Sequence, residues 1–225
     1  MKTPLVILVI LLFACKSKHK EQAVVSDIVT TPKVVEVTKI SNVEDVLIEA
    51  RKLLQVPNLF RLKEAKKWND GAGENWLILS ETGVYGNKKT ETSSAKLSAV
   101  LYIKTDTGFI QQWKLNDFIK ECPVDVVCEF YKNCISITDL NKNGIAEIIL
   151  VYALSCKGDV SPNEKKLILF EGKSKYALRG EELLILKKDT IGGFKKEDEQ
   201  FLKLSPEIKN FAEQHWKKFG VQQYK

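Results

Sequence analysis

Residues 147–154 read EIILVYAL, and this short apolar run of β-forming residues predicts a buried strand. Segments of similar character lie on both sides of it: residues 134–138 (CISIT), 166–170 (KLILF) and 175–178 (KYAL). We therefore predict a sheet that is built from neighbouring segments across residues 134–178.

A second group of β-forming segments precedes this region. Its members are residues 76–80 (WLILS), 96–104 (KLSAVLYIK) and 108–115 (GFIQQWKL). Turn-forming residues occur at 71–73, 83–87 and 106–108. Strands that are joined by short turns predict an antiparallel meander.

Helical signals lie at both ends of these strands. Ser41 and Glu44 form a capping box, and apolar residues then follow at helical spacing until Pro57. This pattern predicts a helix over residues 42–55. Asn116 or Asp117 is expected to cap a further short helix before Pro123.

Near the C-terminus, Ser205 is a predicted helix cap, Pro206 occupies the first helical position and Gly220 follows as a stop. The apolar face of this helix carries Ile208, Phe211, Ala212, His215, Trp216 and Phe219. The predicted fold class is α+β. We expect one domain over residues 41–225, mainly an antiparallel sheet with an N-terminal and a C-terminal helix.

One loop carries oxygen-bearing side chains at the spacing of metal ligands. In residues 139–147, Asp139, Asn141, Asn143 and Glu147 place side-chain oxygens at positions 1, 3, 5 and 9, and Gly144 follows the third of them. The carbonyl of Ile145, at position 7, adds a further oxygen. Calcium prefers six to eight oxygen ligands, so these five residues are candidate ligands of a Ca²⁺ ion.

The loop also allows a second interpretation. Asn143 and Gly144 are typical of a tight hairpin turn that binds no metal. Position 12 of the loop is Leu150, where an EF-hand has a glutamate, and strand-like sequence follows. The loop is more similar to the strand–loop–strand calcium loops of FG-GAP and VCBS repeats, although only Asp139 and Glu147 are charged. The small number of charged ligands predicts weak binding, and we expect a bound metal to stabilise the loop rather than to activate a water.

The N-terminus resembles a bacterial lipoprotein signal. Lys2 precedes the apolar run of residues 4–13, and Leu12-Phe13-Ala14-Cys15 is similar to a lipobox. The resemblance implies cleavage after residue 14, lipid acylation of Cys15 and a membrane partner. An ordinary signal peptide is the alternative. In the lipoprotein interpretation, residues 15–40 are a tether between the lipid and the domain.

Four further cysteines lie within 35 residues of each other: Cys122, Cys128, Cys134 and Cys156. In an oxidising envelope compartment they favour disulfides. Three pairings are possible, with a preference for Cys122–Cys156 together with Cys128–Cys134. Their spacing lacks the C-x-x-C motif of a zinc site.

The distribution of charged residues indicates which classes of binding partner are expected. The net charge is +6, but lysines are interleaved with acidic residues and no basic run alternates with aromatic residues. A nucleic-acid partner is therefore not expected. Weak attraction to anionic lipids or acidic glycans is consistent with the charge.

Other polar and aromatic residues have mainly structural interpretations. Residues 70–75 are interpreted as a turn and His215 as a core histidine. Asp159 and Asn163 are expected to cap their own loop rather than to bind a ligand. Trp68, Trp76 and Trp113 are interpreted as core residues, with sugar stacking as the alternative.

The stretches DFIKECPVDV (117–126), SITDLNKNGIAEIILVY (136–152) and SCKGDVSPNEKKLILFEGKSKYALRG (155–180) resemble lipoproteins of Bacteroidota. Some members of that family are labelled surface-polysaccharide biosynthesis proteins. The resemblance implies a cell-envelope protein and a link to polysaccharide, with no mechanism attached.

These observations predict a lipid-anchored binding or assembly module in the cell envelope, with envelope proteins or glycans as partners. Lys16, which follows the lipidated cysteine, favours the outer membrane. The alternative is an enzyme of glycan metabolism with Asp139, Glu147 and Asp159 as its acids. A purely structural lipoprotein without metal is the third hypothesis. Sequence motifs of hydrolases, zinc proteases and nucleotide-binding enzymes are absent, which lowers the expectation of an enzyme.

Overall fold

The computed structural model describes residues 36–39, 48, 60–187 and 189–224. All of them belong to one compact unit, Pro32–Lys225. The described part consists mainly of antiparallel sheets with one C-terminal helix, as the sequence predicts. The predicted helix over residues 42–55 lies outside the described residues except for Ile48, which is helical and exposed. The predicted signal peptide also lies outside them, and so does the tether apart from residues 36–39.

Sheet A contains the first six strands in the order β1-β2-β3-β5, with β4 and β6 also paired to β5. The strands are β1 (Glu36–Lys39), β2 (Arg61–Asp70), β3 (Gly73–Glu81), β4 (Tyr85–Asn87), β5 (Thr92–Thr105) and β6 (Gly108–Cys122). All pairs are antiparallel, and tight turns join β2 to β3 and β5 to β6. The predicted meander is confirmed for this part of the chain.

Sheet B has the order β14-β11-β10-β9-β7, with β8 also paired to β9. The strands are β7 (Asp125–Phe130), β8 (Ser136–Thr138), β9 (Glu147–Lys157), β10 (Glu164–Glu171), β11 (Ser174–Glu181) and β14 (Lys195–Glu197). A small third sheet contains β12 (Leu183–Ile185), β13 (Thr190–Gly192) and β15 (Val221–Gln223).

Sheet B is the middle layer of the core. Its strand β9 is buried at every residue from 147 to 155, because both faces of the strand are covered. On one face Phe170 stacks on Trp113 of sheet A, with 3.9 Å between the ring centroids. On the other face Lys165 lies over the ring of Trp216, which belongs to the C-terminal helix. The EIILVYAL run therefore lies at the centre of the molecule.

The C-terminal helix α1 (Pro206–Lys217) begins where the sequence predicts. The Ser205 hydroxyl accepts a hydrogen bond from the Ile208 backbone N–H at 3.4 Å. The buried face comprises Ile208, Ala212, His215 and Trp216. Gly220, with φ of +65°, follows the helix and continues into β15.

The predicted short helix at residues 116–119 is wrong. These residues continue β6, which extends without a break to Cys122. Every second side chain, including Leu115 and Asp117, faces sheet B and makes contacts there. Pairing along β5 and burial of one face outweigh the local capping preference of Asn116 and Asp117.

A buried polar cluster joins the C-terminal segment to sheet B. The Glu182 carboxylate is 2% exposed and accepts hydrogen bonds from the Tyr131 hydroxyl, from Asn163 Nδ2 at 2.8 Å and from Gln222 Nε2 at 2.8 Å. Lys165 lies beside this cluster and donates to the Phe219 carbonyl at 2.9 Å. Burial lowers the pKa of Lys165 to about 8, and the nearby Glu182 charge opposes that shift.

The four cysteines among the described residues form one disulfide and not two. Cys122 at the end of β6 is bonded to Cys156 near the end of β9, so the bond joins the two sheets. Cys128 and Cys134 are buried free thiols, and the predicted second bond between them is not formed. Burial raises the pKa of both thiols to about 12, which leaves them protonated and unreactive.

Candidate functional site

The predicted calcium loop connects β8 to β9 at one end of the two sheets. Two other turns meet it there: the β2–β3 turn that follows Asp70, and the β10–β11 turn that follows Glu171. Loops on a rigid scaffold are where binding groups are concentrated in proteins. This loop cluster is the candidate functional site.

The first half of the loop is wrapped by side-chain to backbone hydrogen bonds. Asp139 Oδ2 accepts from the Gly144 N–H at 3.0 Å, which spans positions 1 to 6. Asn141 Oδ1 accepts from the Asn143 N–H at 3.1 Å, and Asn143 Oδ1 accepts from the Ile145 N–H at 2.8 Å. Gly144 has φ of +81°, a conformation in which other residues are strained. The polar residues therefore hold the turn in a tight curve.

Glu147 anchors the loop from inside. Its side chain is almost fully buried, and Oε2 accepts from the Thr138 hydroxyl at 3.0 Å and from the Leu140 N–H at 2.9 Å. Oε1 accepts a longer bond of 3.4 Å from the Asn141 N–H. Burial raises the pKa of Glu147, while these donors act in the opposite direction. The predicted ligand at position 9 thus already has three protein partners.

Glu171 is a member of the site that sequence reasoning missed. Its Oε1 accepts hydrogen bonds from Asn141 Nδ2 and from Asn143 Nδ2, both at 2.6 Å. The amide oxygens of these two asparagines already accept backbone N–H groups, so their Nδ2 groups must be the atoms that face Glu171. Glu171 closes the outer side of the loop.

Asp70 is a second missed member, because the sequence analysis interpreted residues 70–75 as a turn alone. Asp70 Oδ1 accepts from the Ala72 N–H within that turn. Its Oδ2 accepts from the Ala146 N–H at 3.1 Å, across the two sheets. The Gly71 N–H also donates to the Gly144 carbonyl at 2.5 Å. The turn thus holds the calcium-type loop in place.

Gly71 is required by this close approach. A Cβ atom at position 71 would lie 2.8 Å from the Gly144 carbonyl oxygen, which is a backbone atom and cannot rotate away. The junction therefore depends on a glycine, although its backbone φ is ordinary.

A small cavity lies between the Asp70 turn and the loop. Its volume is about 140 Å³, and its lining is mainly apolar, with Trp68, Leu101 and Ile145 among the walls. Asp70, Asn75 and Gln112 add polar groups. A cavity of this size accommodates a few waters or one small chemical group.

One atom in the loop lacks a partner. Asp139 Oδ1 is buried and accepts no hydrogen bond, whereas Oδ2 of the same carboxylate is satisfied. A buried carboxylate oxygen without a donor is costly unless a cation or water compensates it. Within the described ranges, no group of three or more His, Cys, Asp or Glu side chains is placed to hold a metal ion. A cation here would depend on amide and carbonyl oxygens as well as on Asp139.

The third acid of the enzyme hypothesis lies elsewhere. Asp159 follows the end of β9, whereas Glu147 begins that strand, and the ten intervening steps of an extended strand span about 33 Å. Asp159 instead accepts hydrogen bonds from Ser161 in its own loop. The structure therefore does not bring the three proposed acids together.

The remaining candidates have structural positions. His215 Nε2 lies 3.2 Å from the Cys134 carbonyl, and burial lowers the pKa of this imidazole. Trp68 and Trp113 are buried core residues. Trp76 is partly buried, donates to Glu74 at 2.8 Å and packs on Phe109. Asn163 belongs to the Glu182 cluster.

Comparisons with profiles of known protein families, with curated proteins and with solved structures found no match for this chain. Among the residues that the structure describes, no helix is both long and apolar enough to cross a membrane.

Proposed function

We propose that this chain is a lipid-anchored protein of the cell envelope, attached through Cys15, and that its β-sheet domain is a binding or assembly module. The lipobox-like sequence supports the anchor, and residues 15–40 have the composition of a tether. The loop cluster around residues 139–147 supports the binding role, because three turns are rigidly joined there.

We further propose that the 139–147 loop binds calcium and that the ion has a structural role. The observation that carries this proposal is the buried, unpartnered Oδ1 of Asp139 inside a loop with calcium-type spacing. Asn141 and Asn143 each retain an oxygen lone pair, and the Ile145 carbonyl is available by its position in the loop. A bound calcium ion would supply positive charge to compensate the Asp139 oxygen.

A structural role fits the surroundings better than catalysis does. Two hydrogen bonds join the loop to the Asp70 turn: the Ala146 N–H donates to Asp70, and the Gly71 N–H donates to the Gly144 carbonyl. Ordering the loop therefore also orders the junction between the sheets. Glu147 has its oxygens occupied by the loop itself and is not free to act as a base. Calcium would therefore stabilise the folded domain.

We expect calcium to raise the melting temperature of the protein. If the dissociation constant is about 50 µM, 5 mM calcium is a hundredfold excess and adds about 2.7 kcal/mol to the free energy of unfolding. For a domain of this size that corresponds to a shift of roughly 5–10 °C. Thermal melts followed by circular dichroism, with calcium and then with chelator, measure the shift.

Asp139→Asn should abolish the calcium response while the Gly144 hydrogen bond persists, because the asparagine oxygen accepts the same N–H. Asp159→Asn is the matched control, since it removes the same charge from a distant loop with a similar internal bond. A wild-type melt that is unchanged by calcium contradicts the proposal. An equal loss of response in both variants shows that the effect is general electrostatics.

A further inference from the structure

The edge of sheet A is formed by β6, which at 15 residues is the longest described strand. Its one strand partner among the described residues is β5. The opposite edge of β6 therefore presents backbone N–H and C=O groups that no other described strand pairs with. Such an edge is a template for the addition of another strand.

Strand β6 crosses sheet B above β9 and β10. Asp117 Oδ2 accepts a hydrogen bond from Lys166 at 2.9 Å, and four residues earlier Trp113 stacks on Phe170. Asp117 also accepts from the Tyr152 hydroxyl of β9, and Cys122 is bonded to Cys156 of β9, so β6 lies nearest β10 at Trp113 and nearest β9 at Cys122. Strand β11 is the neighbour of β10 on the side away from β9, so it lies beyond β6 and the edge of sheet A.

This projecting part of sheet B carries cations. The register pairs Lys166 with Arg179 and Arg179 with Lys196, and it pairs Phe170 with Lys175. Directly paired residues share a face, so Lys175, Arg179 and Lys196 lie on the side of sheet B that faces β6. We call these three residues the basic ledge. All three are exposed.

The basic ledge has few counter-charges. Lys175 and Lys196 form no ion pair with any described residue, and Arg179 lies 3.9 Å from Asp198. Asp117, the acid of β6 that faces sheet B, already accepts bonds from Tyr152 and Lys166. Partial burial lowers the pKa of Lys175, the charge of Arg179 adds to this effect, and the charges of Asp117 and Asp198 oppose it.

Between the two basic side chains of β11 lies Ala177, a small residue on the same face that is itself fully buried. Beside the ledge, the Trp113 indole N–H of β6 is buried and has no acceptor. The free edge of β6 thus lies beside two exposed cations, Lys175 and Arg179, which are four residues apart with Ala177 between them. The unpaired indole N–H of Trp113 lies at the same edge.

We propose that β6 is the docking edge for an extended acidic segment of a partner protein, which joins sheet A by strand addition above β11. Backbone hydrogen bonds to β6 would provide affinity, and acidic side chains at positions i and i+4 would lie above Lys175 and Arg179. The residue at i+2 would be small, because Ala177 is fully buried and offers no open space for a larger side chain. The inference rests on the proposed binding function and specifies the chemistry of its partner.

A second copy of β6 fits this position less well. The side chains of β6 that face sheet B are Trp113, Leu115, Asp117 and Ile119, and the one acid among them is already paired. A second copy would therefore place mainly apolar side chains above Lys175 and Arg179. Charge complementarity favours an acidic partner.

The test uses the full-length chain in detergent and the peptide Thr-Glu-Thr-Ala-Thr-Glu-Thr with blocked ends. Its two glutamates share one face at the required spacing. A control peptide of the same composition, Thr-Glu-Thr-Ala-Glu-Thr-Thr, places them on opposite faces. We expect a dissociation constant of about 100 µM for the first peptide and at least fivefold weaker binding of the control. Slower amide hydrogen exchange in β6 should accompany binding.

Two variants locate the binding site. The double substitution Lys175→Gln and Arg179→Gln should weaken peptide binding by roughly tenfold, since both charges are removed. The double substitution Lys88→Gln and Lys89→Gln, on the turn between β4 and β5, should leave it unchanged. Both measurements are made with calcium and with chelator, and the expected result is the same in each, so failure of the calcium proposal is a separate outcome.

Five results would overturn the proposal. The first three are no binding at millimolar peptide, binding without protection of the β6 amides, and equal binding by the ledge variant. The fourth is self-association of the free protein with protection of β6, measured by sedimentation and hydrogen exchange. The fifth is an acidic polysaccharide such as polygalacturonate that binds the ledge as tightly as the peptide, without protecting β6, which would assign the ledge to glycans instead.

Discussion

Replacement of Glu182 by alanine is expected to lower the free energy of unfolding by about 3–5 kcal/mol. The carboxylate is 2% exposed and is the common acceptor for Tyr131, Asn163 and Gln222. Its removal leaves the buried Asn163 and the partly buried Tyr131 and Gln222 without this acceptor, and it leaves the Lys165 ammonium without its nearby negative charge. These groups join β10, the segment before β8 and the C-terminal strand β15, so we expect the loss to affect the whole domain.

Urea denaturation followed by tryptophan fluorescence measures this loss as a lower midpoint with an unchanged slope. Glu199→Ala is the control, because Glu199 is exposed and its loss should change stability by less than about 0.5 kcal/mol. Glu182→Gln, which keeps one acceptor oxygen, should have an intermediate effect. A loss below about 1 kcal/mol for Glu182→Ala would show that the cluster is not an important source of stability.

Removal of the Cys122–Cys156 disulfide, by alanine at both positions, is expected to lower the free energy of unfolding by about 4 kcal/mol. The bond closes a loop with a sequence separation of 34 residues, and the chain-entropy relation assigns about this value to such a loop. The bond also joins the ends of β6 and β9, so its loss should loosen the contact between the two sheets at that end.

The cysteine assignment itself is testable by alkylation of the denatured protein before and after reduction. Peptides that contain Cys128 or Cys134 should be alkylated without reductant, and those with Cys122 or Cys156 only after it. Protection of Cys128 and Cys134 before reduction would establish the second bond. Stability of the double alanine variant within 1 kcal/mol of wild type would contradict the role assigned to the disulfide.

The sequence correctly predicted those strands and helices whose residues have local preferences that match their surroundings in the fold. The EIILVYAL run, buried on both faces, forms β9, and the Ser205-Pro206 start forms the cap of the last helix. The helix predicted at residues 116–119 failed because Asn116 and Asp117 carry local signals that pairing with β5 outweighs. Local patterns do not contain information about that partner strand.

The candidate site was predicted only in part for a similar reason. The residues of the 139–147 loop are adjacent in sequence, and their spacing identified them. Asp70 and Glu171 join the loop through contacts that span 76 and 30 residues. No spacing rule links them to Asp139. The Asp70-Gly-Ala-Gly turn was recognised, but its contact with Ala146 depends on the packing of one sheet on the other.

The proposed membrane anchor at Cys15 is the central claim, because both the calcium and the partner proposals assume an envelope location. The direct measurement is metabolic labelling with an alkyne fatty acid in a bacterial host, followed by membrane fractionation. We expect wild type and Ser17→Ala to be labelled and membrane-bound. Cys15→Ala should lose the label and remain unprocessed by the lipoprotein signal peptidase. Unlabelled wild-type protein, or equal labelling of Cys15→Ala, would contradict the anchor.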